Sequence, residues 1–436
     1  MPRKRFFFRP MQRGVAMHHP SMHMDASFAN WPTKNIIVDE YSIKKRPGYH
    51  TTDRNLGAGV GIQQIAIFQL NDGTRMTMYL TPANLCKKET AGSNTWSYKT
   101  DAYTTGTVSS ITGTTVTGNG TLWNTNDAAG NKNVAANDIL IIDSEHDPAL
   151  EEDGEWIRIA SVTNDTTLEI ASASTTGTGT YKIRKVYTTP TNERWSYAVV
   201  DNQFFFTNGN TNLQAYSGSG YADDGDTSAT SMVAVKARYC IPYANRLIIA
   251  DYGSTRDPLG IAWSGEGDPN TFNTTDDTSA GAASFLETGS PITGLGVVGA
   301  QLVVYKQNAL IFGNRTGVST DPFQFSKDRP GIGCIAPYSI IPFLGQNAFI
   351  GRENFYILES NIPEPIGEPI RYDFFRIVGK TQAEKVWGYH NADDSTLNWF
   401  AVTTEGNYTF SWNYVTREWT VFQYNDVINC AGKGAE

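Results

Sequence analysis

The chain has 436 residues, 40 of them glycine, with 12% aromatic and only 18% charged residues. That composition suits a β-rich protein with many tight turns, and the length allows two or three domains or one large repeat array. No run of about eighteen apolar residues occurs, so no membrane-spanning helix is expected.

Cys86, Cys240, Cys334 and Cys430 stand on the order of a hundred residues apart. No pair has metal-ligand spacing, and a chain this long needs no disulfide framework, so they read as reduced, mostly buried thiols of a protein made in a cytoplasm. The net charge of −9 hides a division. Residues 1–50 hold nine Lys/Arg against three acids, a balance of +6, which leaves −15 for the remainder. A basic arm on an acidic body is the expectation.

Residues 1–52 carry prolines at 2, 10, 20, 32 and 47 and no helical period. They read as an extended arm with one strand at 36–43, ended by Lys44-Lys45-Arg46-Pro47-Gly48. Within the arm, Arg3, Lys4, Arg5, Arg9 and Arg13 interleave with Phe6, Phe7 and Phe8. Charges that steer and aromatics that anchor make these eight the candidate interface residues, toward a protein or, through phosphates, a nucleic acid. The three phenylalanines are too short an apolar core for a secretory signal. His18, His19 and His23 flank Pro20, which disfavours a helix, and no acid or cysteine completes a metal set around them.

Residues 53–103 open a strand–turn–strand pattern, IQQIAIFQL, Asn71-Asp72-Gly73, TRMTMYL. The same unit recurs around Asn202, Asn245, Gln307, Arg352 and Glu405, and from Asp72 onward the centres lie 130, 43, 62, 45 and 53 residues apart. The long gap contains residues 104–186, a Thr/Gly-rich stretch of short strands with eleven acids against five bases. Without those 83 residues the gap becomes 47. The expectation is an all-β chain: six similar units over 53–103 and 187–436, and a small β domain inserted after the first. Units of 40–50 residues, each a small antiparallel sheet, have the period of β-propeller blades, which bury both faces by stacking around an axis. A row of β-sandwiches is the alternative.

Between residues 331 and 375 the chain reads GIGCIAPYSIIPFLGQNAFIGRENFYILESNIPEPIGEPIRYDFF. Short apolar runs at 338–343, 348–350 and 355–358 flank Gly345-Gln346-Asn347 and Gly351-Arg352-Glu353-Asn354, the pattern of antiparallel strands joined by turns. As a string it resembles late blades of the β-propeller proteins in the tails of short-tailed bacteriophages. These tail hub, nozzle or packaged-DNA stabilisation proteins run "GIGC-apolar-AP-x-S" into "F-I/L-G-R-x-x-x-Y-I/V" and close on "P-I-G-x-x-I". The early strand followed by KRPG touches the same family. Residues 104–186, with VTGNGTLW, DILII and IASVTNDTTLEI, resemble more loosely the small barrel-like spacing or contact domains of phage tail and platform proteins.

The resemblance implies a tail hub or nozzle subunit below the portal and adaptor, assembled in the host cytoplasm and carried in the virion. Copies would form a ring, a hexamer in such tails, around the channel through which double-stranded DNA leaves without sequence-specific binding. Walls of the same sign as DNA would let it slide. The alternatives are a glycan-binding propeller on a tail appendage and a propeller glycoside hydrolase.

The chemical motifs point away from catalysis. Gly294-Leu295-Gly296-Val297-Val298-Gly299 is a formal dinucleotide fingerprint, but a hairpin pattern follows where that site needs a helix. Asp223-Asp224 with Asp226, Asp276-Asp277 and Asp393-Asp394 could supply the paired carboxylates of a glycosidase, yet all fall in Gly/Ser/Thr/Asn-rich stretches that read as turns. Neither GxSxG nor HExxH occurs. Trp195, Trp263, Trp387, Trp399, Trp412 and Trp419 could line a sugar site, and packing between sheets accounts for most of them. No catalytic residue, cofactor or metal is expected.

Overall fold

The computed structural model describes residues 62–88, 96–100, 102–126, 132–142, 155–173, 178–190, 193–220, 222–224, 235–275, 277–379, 382–425 and 427–432, with short strands at Val15–Ala16, Ala29–Asn30, Ile36–Asp39 and Ser42–Lys45. The chain is all-β, with one α-helix, Arg371–Val378, among the described residues, and its antiparallel meander sheets have a β-propeller-like arrangement. It divides into two compact units, one chiefly of residues 283–431 with the N-terminal 52, the other chiefly of residues 53–257.

In the second unit, the first meander is built from Gln64–Gln69, Arg75–Leu80, Leu85–Lys88 and Trp96–Tyr98. The next uses Ser196–Val200, Gln203–Thr207, Gln214–Tyr216 and Asp223–Asp224, and the third begins with Lys236–Tyr243 and Arg246–Gly253. The run Phe204-Phe205-Phe206 shows why neighbouring sheets need each other. All three rings are fully buried, because successive strand residues point to opposite faces. Phe204 and Phe206 pack with Phe68, Met78 and Leu80 of the Gln64 sheet. Phe205 packs with Leu247, Ile249 and Cys240 of the Lys236 sheet. At the end of the chain Gly432 lies so close to Ile65 that a Cβ there would sit 2.8 Å from the Ile65 Cβ.

The first unit repeats the scheme. The Ile292 sheet comprises Ile292–Val298, Gln301–Lys306, Ala309–Val318 and Asp321–Phe325, with Arg329–Pro330 as a fifth short strand. The Ile341 sheet comprises Ile341–Phe343, Gln346–Ile350, Phe355–Leu358 and Pro363–Pro365. The Trp387 sheet comprises Trp387–Asn391, Thr396–Thr403, Gly406–Asn413 and Glu418–Tyr424. Phe349 and Leu358 face the Ile292 sheet, with Val303, Tyr305 and Phe312. Ala348, Ile350 and Phe355 face the Trp387 sheet, with Trp399, Phe410 and Trp419.

Residues 102–184 form a seven-stranded antiparallel sheet of their own. Its core of Val116, Trp123, Leu140, Ile157, Ile159, Leu168 and Ile183 is drawn from within the segment. Val108 and Gly179 exchange two 2.9 Å backbone hydrogen bonds, so the first strand of the hairpin at 107–119 returns toward the sheet's far end. Entry and exit are adjacent, because Tyr103 pairs with Ile183 and Ala102 with Arg184. The sheet thus starts two residues before the expected boundary at 104.

Three further expectations change. The strand at 36–43 is a hairpin in which Ile36–Asp39 pairs with Ser42–Lys45; Lys44 and Lys45, read as a terminator, belong to a strand, a position that edge strands readily give to lysine. The six sequence centres mix two turn types. Asp72, Asn202 and Asn245 lie at the first hairpin of their sheets, whereas Gln307, Arg352 and Glu405 lie at the second. The first hairpin of the Ile292 sheet turns at Gly299-Ala300, with a positive φ at Gly299, and its apolar flanks hide it from a search for polar turns. Third, Asp223–Asp224 is not a turn but the outer strand of its sheet, paired with Gln214 and Ala215.

Candidate functional site

The segment that carries the sequence resemblance is a structural junction. Gly333 allows the chain to cross the backbone of Lys306, Asn308 and Ala309, where any Cβ would collide. Cys334 is fully buried, its thiol donates to the Ala336 carbonyl at 3.2 Å, and burial pushes its pKa up to about 12. The Ser339 hydroxyl donates to the same carbonyl at 2.7 Å and accepts from the Ile350 N–H at 3.0 Å. Its own carbonyl accepts from Trp399 Nε1 at 3.0 Å, which ties it to the Trp387 sheet.

The second half works in the same way. Asn354 Oδ1 accepts from the backbone N–H groups of Phe355 and Gly367, each at 2.9 Å. A Cβ at Gly367 would meet that oxygen at 2.5 Å, and one at Gly351 would meet the Tyr356 ring at 2.6 Å. Phe355 then stacks edge-on against Phe374, Trp399 and Trp419, with centroids 4.7, 5.0 and 4.9 Å away. Trp419 Nε1 donates to the Ile366 carbonyl at 2.8 Å. These residues fix backbone or packing, whereas Arg352 of the same motif is exposed.

Two charged constellations went unnoticed in the sequence. Lys306 and Asp328 form an ion pair of 2.9 Å with side chains 0% and 3% exposed. Lys306 Nζ also donates to the Phe285 carbonyl at 2.8 Å, and Asp328 Oδ2 accepts from the Thr288 hydroxyl at 2.5 Å and N–H at 3.1 Å. Burial pushes the Asp328 carboxyl up, but the hydrogen bonds from Lys306 and Thr288 outweigh it and hold the pKa below the ordinary value.

In the other unit, Glu193 Oε1 lies 3.7 Å from Arg238 Nε and 3.3 Å from Arg256 Nη1, which is 3.6 Å from Asp251 Oδ2. Asp251 is buried with φ +49°. Burial raises its pKa, and the two arginines oppose that rise. Glycine at 209 leaves room for this cluster, since a Cβ there would strike Arg256 and Glu193. The Lys306 pair pins backbone at Phe285 and Thr288; nothing in the spacing of either constellation came from a motif, so only the folded chain shows them.

Two of the acidic residues weighed as paired carboxylates are held by local hydrogen bonds. Asp277 Oδ1 accepts from the Ser279 N–H at 2.7 Å, and the Ser279 hydrogen bonds hold its carboxyl below the ordinary range. Asp394 Oδ2 accepts from Asn391 Nδ2 at 2.7 Å in a turn. Asp226 and Asp276 lie outside the described residues, as do His18, His19, His23 and the whole candidate interface Arg3, Lys4, Arg5, Phe6, Phe7, Phe8, Arg9 and Arg13. Among the described residues no group of three or more His, Cys, Asp or Glu is placed to hold a metal ion.

All six tryptophans weighed as a sugar site are buried, at 7% exposure or less. Trp195 Nε1 donates to the Thr81 carbonyl, and Trp387 stacks on Phe400 with centroids 4.0 Å apart. The formal dinucleotide fingerprint is the strand Ile292–Val298, followed by a hairpin. Its Gly294 and Gly296 admit Ile340 and Asn347 of the next sheet.

The chain matches no family model and no curated protein. Solved structures that resemble it include a Bacteroides fragilis protein thought to be exported, at 9% identity and TM-score 0.31, covering 52% of this chain and 70% of that one. Another is PorZ, a surface component of the type-IX secretion system of Porphyromonas gingivalis, at 11% identity and TM-score 0.30, covering 74% of this chain and 34% of that one. A third is the extracellular domain of a protein thought to be a one-component system in Bacteroides thetaiotaomicron, at 10% and 0.32, covering 79% and 38%. Similarity at this level carries no functional argument.

Proposed function

We propose that this chain is a structural subunit of a short-tailed phage virion, a tail hub or nozzle protein whose copies form a ring, a hexamer, around the DNA-exit channel below the portal and adaptor. The observation that carries the reading is the segment at residues 331–375: among the residues it shares with such proteins, Gly333 and Ser339 tie the Ile341 sheet to its neighbours, and Gly351 and Gly367 make room for close packing within it. A likeness that falls on framework residues is what a shared architecture, rather than a shared reaction, would leave.

In this reading the meanders are six propeller blades, and residues 102–184 are a small barrel-like domain inserted after the first. The −15 charge outside the arm would keep passing double-stranded DNA from adhering. The basic, aromatic arm would hold neighbouring tail proteins. Electron microscopy of the purified chain tests this directly. Rings with an axial hole are expected; a protein that stays monomeric at high concentration and binds a surface glycan would sink the proposal in favour of the glycan-binding reading.

A further inference from the structure

The dipeptide Asn-Gly occurs twice in the chain, at Asn119-Gly120 and at Asn208-Gly209. It is the context in which asparagine loses its side-chain amide most readily, because the following residue has no Cβ to keep its backbone nitrogen away from the asparagine Cγ. The fold gives the two copies opposite surroundings.

Asn208 is fully buried, and its amide is engaged on both sides. Its Nδ2 donates to the Thr188 carbonyl at 3.1 Å and to the Thr189 hydroxyl at 3.0 Å. Its Oδ1 accepts from the N–H groups of Asn210 and Thr211 at 3.0 and 2.8 Å. The nitrogen that would attack is held as well, for the Gly209 N–H donates to the Ala237 carbonyl at 2.8 Å. Reaction there would have to break all of these bonds in a place shielded from water.

Asn119 ends the strand Thr115–Asn119, and both it and Gly120 are exposed. Gly120 has φ +68°, and a Cβ on it would meet none of the described residues within 4 Å. Solvent reaches this dipeptide, and the glycine leaves space around it.

We propose that Asn119 is a self-modification site, where the chain converts its own asparagine to an acid with water as the only co-reactant, and that the fold protects Asn208 from the same reaction. The Gly120 nitrogen attacks Asn119 Cγ. A new N–C bond forms, the Cγ–Nδ2 bond breaks, and ammonia leaves with the proton of the Gly120 amide. Water then opens the five-membered imide at one of its two carbonyls, and nothing is oxidised or reduced. Opening at one carbonyl leaves aspartate. Opening at the other leaves isoaspartate, with the main chain running through the former side chain and one methylene longer. Either product adds a negative charge to a segment, residues 104–186, that already holds eleven acids against five bases.

Ageing the full chain in mildly alkaline buffer, once native and once in urea, with both sites followed by peptide mass, tests the proposal. In the native protein residue 119 should gain the mass of amide-to-acid conversion about tenfold faster than residue 208, and in urea the two rates should converge. Isoaspartate-specific enzymatic methylation should label the native protein at residue 119 and not at 208. Equal native rates would show that the fold does not protect Asn208. An Asn119 that reacts in urea but stays intact in the native protein would show that the folded turn holds the nitrogen and Cγ apart. Either result overturns the proposal. The Asn119→Gln chain supplies a second check, since its longer side chain would need a six-membered ring and the native mass gain should vanish. A gain that persists in that variant would place the reaction at another residue and would also overturn the proposal.

Discussion

Lys306 Nζ lies 2.9 Å from Asp328 Oδ2, and neither side chain reaches solvent to any useful extent. The pair joins an inner-sheet strand to the segment that follows Phe325, with Thr288 and the Phe285 carbonyl satisfying the remaining bonds. Taking away one partner strands the other as a buried charge. Lys306→Met should therefore cost about 3–5 kcal/mol, whereas Lys306→Met combined with Asp328→Leu should recover much of the loss. Urea denaturation of the three proteins measures both numbers. Equal losses in the single and double variants would show that the charges are not coupled.

The same aspartate sets a pH dependence. Its folded pKa is depressed below the ordinary value of 3.8, so the unfolded chain binds its proton more readily. The resulting stability is fully present above that ordinary value and is lost as pH falls through the lower, folded one. An Asp328→Asn protein should be less stable at neutral pH and show a flatter acid limb between about pH 4 and 2. Thermal midpoints across that range decide it, and an acid limb as steep as the wild type's would assign the effect to other carboxylates.

Burial pushes the Cys240 and Cys334 thiols up to about 12, whereas Cys430 is half-buried. A thiolate is the reactive species, so the two buried cysteines should resist aromatic disulfide reagents at pH 8 and react fully in denaturant. Cys430 should react first in the native protein. Native-state labelling at Cys334 as fast as at Cys430, read by peptide mass, would contradict the packing around Ser339.

Because Tyr103 and Ile183 are paired neighbours, residues 104–182 should be removable. Replacing them with a short Gly/Ser linker keeps that pair and also Arg184, which donates to the Thr100 carbonyl and lies over the Tyr98 ring at 4.7 Å. The shortened chain should unfold cooperatively and retain a β-type circular dichroism spectrum. An insoluble or unfolded product would show that the segment supports the meanders.

What the sequence revealed follows the range of each interaction. Period-two runs such as IQQIAIFQL and turn signals such as Asn71-Asp72-Gly73 are local, and both produced the hairpin expected of them. The hairpin after Gly294 and Gly296 is equally local, and it formed as read. Lys306 with Asp328, and Glu193 with Arg238, Asp251 and Arg256, depend on partners 22 to 63 residues apart and leave no periodic trace. The turn at Gly299 was missed because its neighbours are apolar, so the polar second hairpin at Gln307 drew the assignment. The eight arm residues gave a composition-level signal, and they lie outside the described residues.

The pairing of Tyr103 with Ile183 also bears on the order in which the chain folds as it is made. The Gln64 sheet shares its core with Trp195, Phe204, Phe206 and Tyr216, residues synthesised more than a hundred positions after Phe68. Joining ends that far apart is an entropic burden that slows folding. The segment between them has its own core, complete once Ile183 has emerged. Folded first, it brings its two ends together and turns a long closure into a short one. If residues 102–184 are an inserted domain as proposed, they would act as a staple in time, holding the first sheet's chain beside the place where its partner is about to appear.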